Sequence, residues 1–184
     1  MFTPGQLVVY PAQGVGKIER IDSQQVCGVQ TEFFIVNILT SNITLMVPVK
    51  SAANVGLRPL ASPAEAEDAM SMLKDLNKPA PVVGQNWNRR QREYNERLKQ
   101  GTLQAVAGII KELVLISCAK ELSFGEKRLL EQAMNFVSLE LAHIWNCRPE
   151  EVVQRINDLF SEITTAKEEE SGAEASVKKH AHGA

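Results

Sequence analysis

The spacing of apolar residues changes once along this chain, at Ser62, and the change divides it into two unlike modules. Before it the apolar residues come in short runs, QLVVY (6–10), VGKIERI (15–21), EFFIVNI (32–38), TLMVPV (44–49) and VGLRPL (55–60), parted by the turn-formers PAQG, CG and SN. Runs of this kind read as strands. Five of them at close spacing predict a small barrel or strongly bent sheet over residues 1–60. So little interior suits a binding surface better than a deep active site.

After Ser62 the period is that of helices. SPAE (62–65) opens the first as a capping box with Pro63 in its first turn, and Ala66, Ala69, Met70 and Leu73 fall on one face. The loop NKPAPVVGQ (77–85) ends it, and a second helix is expected from an N-cap at Asn86 to Gly101. TLQAVAGIIKELVLISCAKEL (102–122) is apolar enough to be the central helix of a bundle. SFGE (123–126) is a second capping box, opening a fourth helix with Leu130, Ala133, Val137, Leu141 and Ile144 as a core stripe and Trp145 in the core. RPEEVVQRINDLFSEI (148–163) makes the fifth, with Val152, Ile156 and Leu159 facing inward. The plan is α+β: a β module followed by a compact five-helix domain over 61–163, with a polar segment, 164–184, that reads as a disordered tail.

The residues offer no reaction. GVGK (14–17) is not a phosphate loop, because Pro11 and Ile18 stand where that pattern requires glycine and a hydroxyl. A tight turn between strands explains these glycines. Cys27, Cys118 and Cys147 are odd in number and form no C-x-x-C pair, so they predict neither disulfides nor zinc and read as reduced, mostly buried residues of a cytoplasmic protein. His143 lies within a helix and His180 and His182 in the tail, and no nucleophile or paired-carboxylate motif accompanies them. No enzyme, cofactor or metal is expected. The N-terminus lacks the layout of a signal peptide, and no run approaches the ~18 apolar residues of a membrane span.

A binding function must therefore come from local chemistry. The formal net charge is −2, so nothing recruits nucleic acid globally, yet residues 86–100 carry five cations (Arg89, Arg90, Arg92, Arg97, Lys99) against two anions (Glu93, Glu96). Arg89 and Arg90 would sit in the first turn of their helix, where the dipole disfavours cations by about 0.3–1 kcal/mol each. Lys127 and Arg128 repeat the pattern directly after SFGE. Two helix starts rich in cations make sense if an external anion such as a nucleic-acid phosphate meets them. Trp87 then reads as an exposed indole placed to enter a groove. The plainer reading is that Trp87 begins the apolar stripe continued by Tyr94 and Leu98, with the arginines a solvated face paired to Glu93 and Glu96.

YPAQGVGKI, NWNRRQREYNERLKQG and ELSFGEKRLLEQA, in this order, resemble the CarD/CdnL family of bacterial transcription regulators, with the likeness running from about residue 3 to 162. The resemblance implies a Tudor/SH3-like β domain that binds the RNA polymerase β subunit, a domain type shared with the transcription-repair coupling factor. It implies that the helical domain meets promoter DNA at the upstream edge of the −10 bubble, wedges a tryptophan into the minor groove and stabilises the open complex. Carried over by position, Trp87 is the wedge, Arg89 and Arg90 are phosphate contacts, Lys127 and Arg128 are the second basic contact, and Arg92 is a further candidate. The polymerase face falls on Gln24 and Gln25, in a loop, and on the sheet edge Thr44, Leu45, Met46 and Val47. Some relatives carry arginines near Gln24 and Gln25 and at the position of Met46, so this chain's contact is expected to be more apolar, as in the CdnL branch. A monomer is expected. The competing reading is a protein-only scaffold that binds polymerase and a second protein without touching DNA.

Overall fold

The computed structural model describes residues 1–74 and 87–161. The loop 77–85, the cap expected at Asn86 and the tail expected over 164–184 lie outside the described residues. The chain is α+β, as its two hydrophobic periods require.

The β module is one five-stranded antiparallel sheet in the order β4-β3-β2-β1-β5, from β1 (Leu7–Tyr10), β2 (Gly14–Val26), β3 (Val29–Ile38), β4 (Thr44–Pro48) and β5 (Arg58–Pro59). The register slips between Ile18 and Arg20, leaving Glu19 as a bulge that increases the twist of β2. One face, with Val8, Ile18, Phe34, Val36, Ile38 and Val47, closes over Ala52 and Leu57 as a core of its own. Two sequence expectations change here. GVGK is no turn: the turn is residues 11–13, with Ala12 at φ 61°, and Gly14 already begins β2. The β2–β3 pair also extends beyond the apolar runs, through 22–26 and 29–31, to a two-residue turn at Cys27 and Gly28, both at positive φ. DSQQV and VQTE carry no burial alternation because this part of the ribbon has no core beneath it.

The helices are α1 (Pro63–Lys74), α2 (Trp87–Gln100), α3 (Leu103–Ser117), α4 (Phe124–Trp145) and a fifth, α5, over 149–161. Both capping boxes form. Glu65 accepts from the Ser62 N–H and hydroxyl, and Glu126 does the same for Ser123. α3 is shorter than its apolar run suggested. Thr102 stands outside as the N-cap, accepting from the Ala105 N–H, and the helix stops where the apolar pattern gives way to the polar SCAKE. Ile109, Ile110, Leu113 and Ile116 make α3 the buried centre of the bundle. On α4 the core stripe is Leu129, Ala133, Phe136, Val137 and Leu141, with Leu130 and Ile144 only half-buried. Trp145, expected in the core, is also half-buried and lies under the Arg155 guanidinium, 5.6 Å from its ring centre. The cysteines depart most from expectation: Cys27 and Cys118 are exposed and Cys147 half-buried, since each falls at a turn or helix end rather than on an apolar face.

The modules are joined through their cores. Val9 and Val15, on the other face of the sheet, belong to the helical core. At the same seam Arg58 of β5 grips Glu140 of α4 through two bonds, Nη1 to Oε1 at 2.6 Å and Nη2 to Oε2 at 2.7 Å, while its Nε donates to the Gly101 carbonyl at 2.8 Å. The Ala61 N–H donates to the same carboxylate at 2.9 Å. Gly101, at φ 65°, ends α2 and lets Pro11 approach so closely that a Cβ would lie 3.3 Å from the Pro11 Cα. A backbone bond from the Ala12 N–H to the Leu98 carbonyl completes the seam.

Candidate nucleic-acid interface and sheet edge

The starts of α2 and α4 meet, and an ion pair holds them together. Arg90 Nη2 lies 2.7 Å from Glu126 Oε1, with side chains 6% and 1% exposed. Burial alone would push the Glu126 carboxyl up. The hydrogen bonds from Ser123, the Lys120 ammonium at 3.5 Å and the Arg90 guanidinium outweigh it, and the group titrates below the usual carboxylate range. Arg90 was expected on the surface as a phosphate contact. Its position on the stripe of Tyr94 and Leu98 carries it inside instead, where Glu126 neutralises it.

Trp87 is half-buried rather than free. Its ring rests on Gly125, where a Cβ would lie 3.0 Å from Cζ2, and the Arg90 guanidinium stands 5.8 Å from the ring centre. A side chain at 125 would press the ring slightly away, so the glycine seats the indole close against α4. Trp87 begins the apolar stripe and keeps part of its ring exposed.

The cation cluster is smaller than its count in the sequence. Arg97 pairs with Glu112 and Glu93, at 2.6 and 2.9 Å, and Lys99 with Glu96 at 2.8 Å. Together with Arg90, three of the five cations of 86–100 serve the fold. Arg89, Arg92 and Arg128 are exposed and form no ion pair among the described residues, and Lys127 is exposed with Glu121 at 2.7 Å. The cations left exposed near these helix starts are thus Arg89 and Arg92 on α2 and Arg128 on α4, with Lys127 shared with Glu121.

The residues expected to face a polymerase sort differently. β4 pairs with β3 on one side only, so its other side offers free backbone groups to an added strand. Thr44 and Met46 are exposed, Leu45 is half-buried, and Val47 points into the β core, where it cannot touch a partner. Ile43 and Met46, 50% and 46% exposed, make this edge apolar. Gln24 and Gln25 are exposed but stand in β2, opposite Thr31 and Gln30, not in a loop.

Glu126 reads from the sequence only as a capping residue, and Gly125, Arg58 and Glu140 carry no site reading there. A signal existed for Glu140, which follows Leu129, Ala133 and Phe136 on the inward stripe of α4, where a lone carboxylate demands a buried partner.

Residues 2–61 match the family model "CarD-like/TRCF RID domain", and residues 70–157 match "CarD, C-terminal domain". A Bacillus subtilis (strain 168) protein, "Putative transcription factor YdeB", is 25% identical over 141 residues, spanning 77% of this chain and 90% of that protein. Among solved structures, CdnLNt from Myxococcus xanthus is 35% identical, covering 34% of this chain and 87% of that one, with a TM-score of 0.30.

Proposed function

The chain belongs to the CarD/CdnL family of transcription regulators, and from that premise we propose that it anchors to the RNA polymerase β subunit through the β4 edge and holds promoter DNA with the starts of α2 and α4. Its contact lies at the upstream edge of the −10 bubble, in the minor groove, where it stabilises the open complex. The observation that carries this reading is the Trp87–Gly125 contact that joins the starts of α2 and α4, whose first two turns expose Arg89, Arg92, Lys127 and Arg128 on a chain of net charge −2. An apolar edge flanked by cations suits a groove, with sugar and base edges for the indole and phosphates for the charges. Arg90 acts from behind, fixing Trp87 and α4 rather than meeting phosphate. At β4, strand addition supplies backbone bonds, and Thr44, Leu45 and Met46 supply side-chain contact. Gln24 and Gln25 flank that surface as polar contacts on the β2–β3 ribbon.

The test is open-complex lifetime on one promoter after competitor challenge, with wild type, Trp87→Ala and the exposed-site variant Arg89→Ala. Wild type lengthens the lifetime and both variants lose most of the gain while retaining polymerase binding and circular dichroism. Arg89→Ala keeps the test decisive if the half-buried Trp87 proves needed for folding. Unchanged lifetimes in both folded variants, with no DNA cross-links from 87–92, would favour the protein-only scaffold.

A further inference from the structure

Phe124 is the first residue of α4 and is 83% exposed. The helix has no use for a ring there, since Ser123 and Glu126 satisfy its end through their capping box. Single exposed apolar residues are ordinary on proteins. This one is distinguished by its neighbours. Gly125, the next residue, carries the Trp87 indole, and Lys127 and Arg128 lie three and four positions on, along the same helix face. Trp87 is seated against the bundle and presents only part of its ring, whereas Phe124 stands clear of it.

We propose that Phe124 is a second apolar contact of the DNA face, its ring lying against sugar and base edges beside Trp87, so that two aromatic rings rather than one engage the opened groove. This rests on the DNA-holding reading above. The charges select nucleic acid over protein as the occupant. A protein pocket that took Phe124 would also desolvate Arg128, which has no carboxylate partner among the described residues, and that is costly unless the partner supplies one. A nucleic acid offers apolar edges to the ring and a phosphate to Arg128 at once, with Lys127 beside it shared with Glu121.

The experiment uses polymerase–promoter open complexes with the full chain as wild type, Trp87→Ala, Phe124→Ala and Phe124→p-benzoylphenylalanine. Loss of an aromatic contact to bases is worth about 1–3 kcal/mol, so Phe124→Ala should shorten the lifetime about fivefold or more at unchanged Tm. The benzophenone at 124 should cross-link to promoter DNA. If Trp87→Ala shortens the lifetime and Phe124→Ala does not, this inference falls and the DNA-holding reading stands. If neither variant shortens it, the underlying reading falls. Cross-linking from 124 into a protein subunit overturns the assignment of DNA as the occupant, whatever the lifetimes.

Discussion

Glu126→Gln should be among the most damaging single substitutions in the helical domain, and the structure says by how much. The Arg90 guanidinium is buried, and among the described residues its one hydrogen bond goes to Glu126 and its Nε and Nη1 have no partner. Neutralising the carboxylate strands that charge, and breaking a buried pair from one side costs about 3–5 kcal/mol. The reverse substitution is milder. In Arg90→Met the Glu126 carboxylate keeps the Ser123 N–H and hydroxyl, at 2.9 and 2.8 Å, and Lys120 at 3.5 Å. That loss should be about 1–3 kcal/mol. The double variant Arg90→Met/Glu126→Gln should recover most of the difference, because no buried charge remains unpaired. Urea unfolding at neutral pH, followed by circular dichroism at constant m, measures all three. If Glu126→Gln costs no more than Arg90→Met, Arg90 reaches solvent in solution and the buried link between α2 and α4 is wrong.

The same carboxyl sets an acid limit. Its pKa in the folded chain lies below the ordinary 4.5, so its contribution is complete at neutral pH and is lost as pH falls below that value through the folded pKa. Glu126→Gln should flatten this part of a Tm-against-pH curve, and an unchanged acid limb would remove Glu126 as its source. At the seam, Glu140→Gln should cost about 3–5 kcal/mol, because Arg58 is left with its charge uncompensated. Small-angle scattering of that variant should show the two modules loosened while circular dichroism retains both.

The sequence carried the α+β class, the capping boxes and most helix faces because each depends on neighbours within about four positions. It carried less where partners are distant. Five cations between 86 and 100 looked like one basic patch, yet Arg90 and Arg97 are satisfied by Glu126 and Glu112, and only folding brings those carboxylates to them. The stripe itself held a warning. Arg90 lies three after Trp87, four before Tyr94 and eight before Leu98, the spacing of an inward face, so a cation there should have a buried partner. The ribbon around Cys27 and Gly28 was hidden for the opposite reason, since strands exposed on both faces lack the alternation by which strands are recognised. Gly125 and Phe124 could not be valued from sequence at all, because their meaning is the indole placed beside them.

The internal pairing also explains why the seam between the modules is so firmly built. On the proposed function, Arg89, Arg92 and Arg128, with Lys127 released from Glu121, would meet at most about four phosphates, and at a slope near −0.9 per phosphate the affinity falls about a hundredfold between 50 and 200 mM salt. Such a face cannot hold a promoter unaided. A polymerase anchor can supply an effective concentration in the millimolar range, but only if the anchored module presents the DNA face at a reachable place. A flexible joint would dilute that concentration over many orientations. Here the Glu140 carboxylate binds both Arg58 and the Ala61 N–H, Gly101 seats Pro11, and Val9 and Val15 are sunk in the helical core. On the proposed function, these contacts turn a weak patch into a directed one, so loosening the seam should weaken the open complex even with every DNA-facing residue intact.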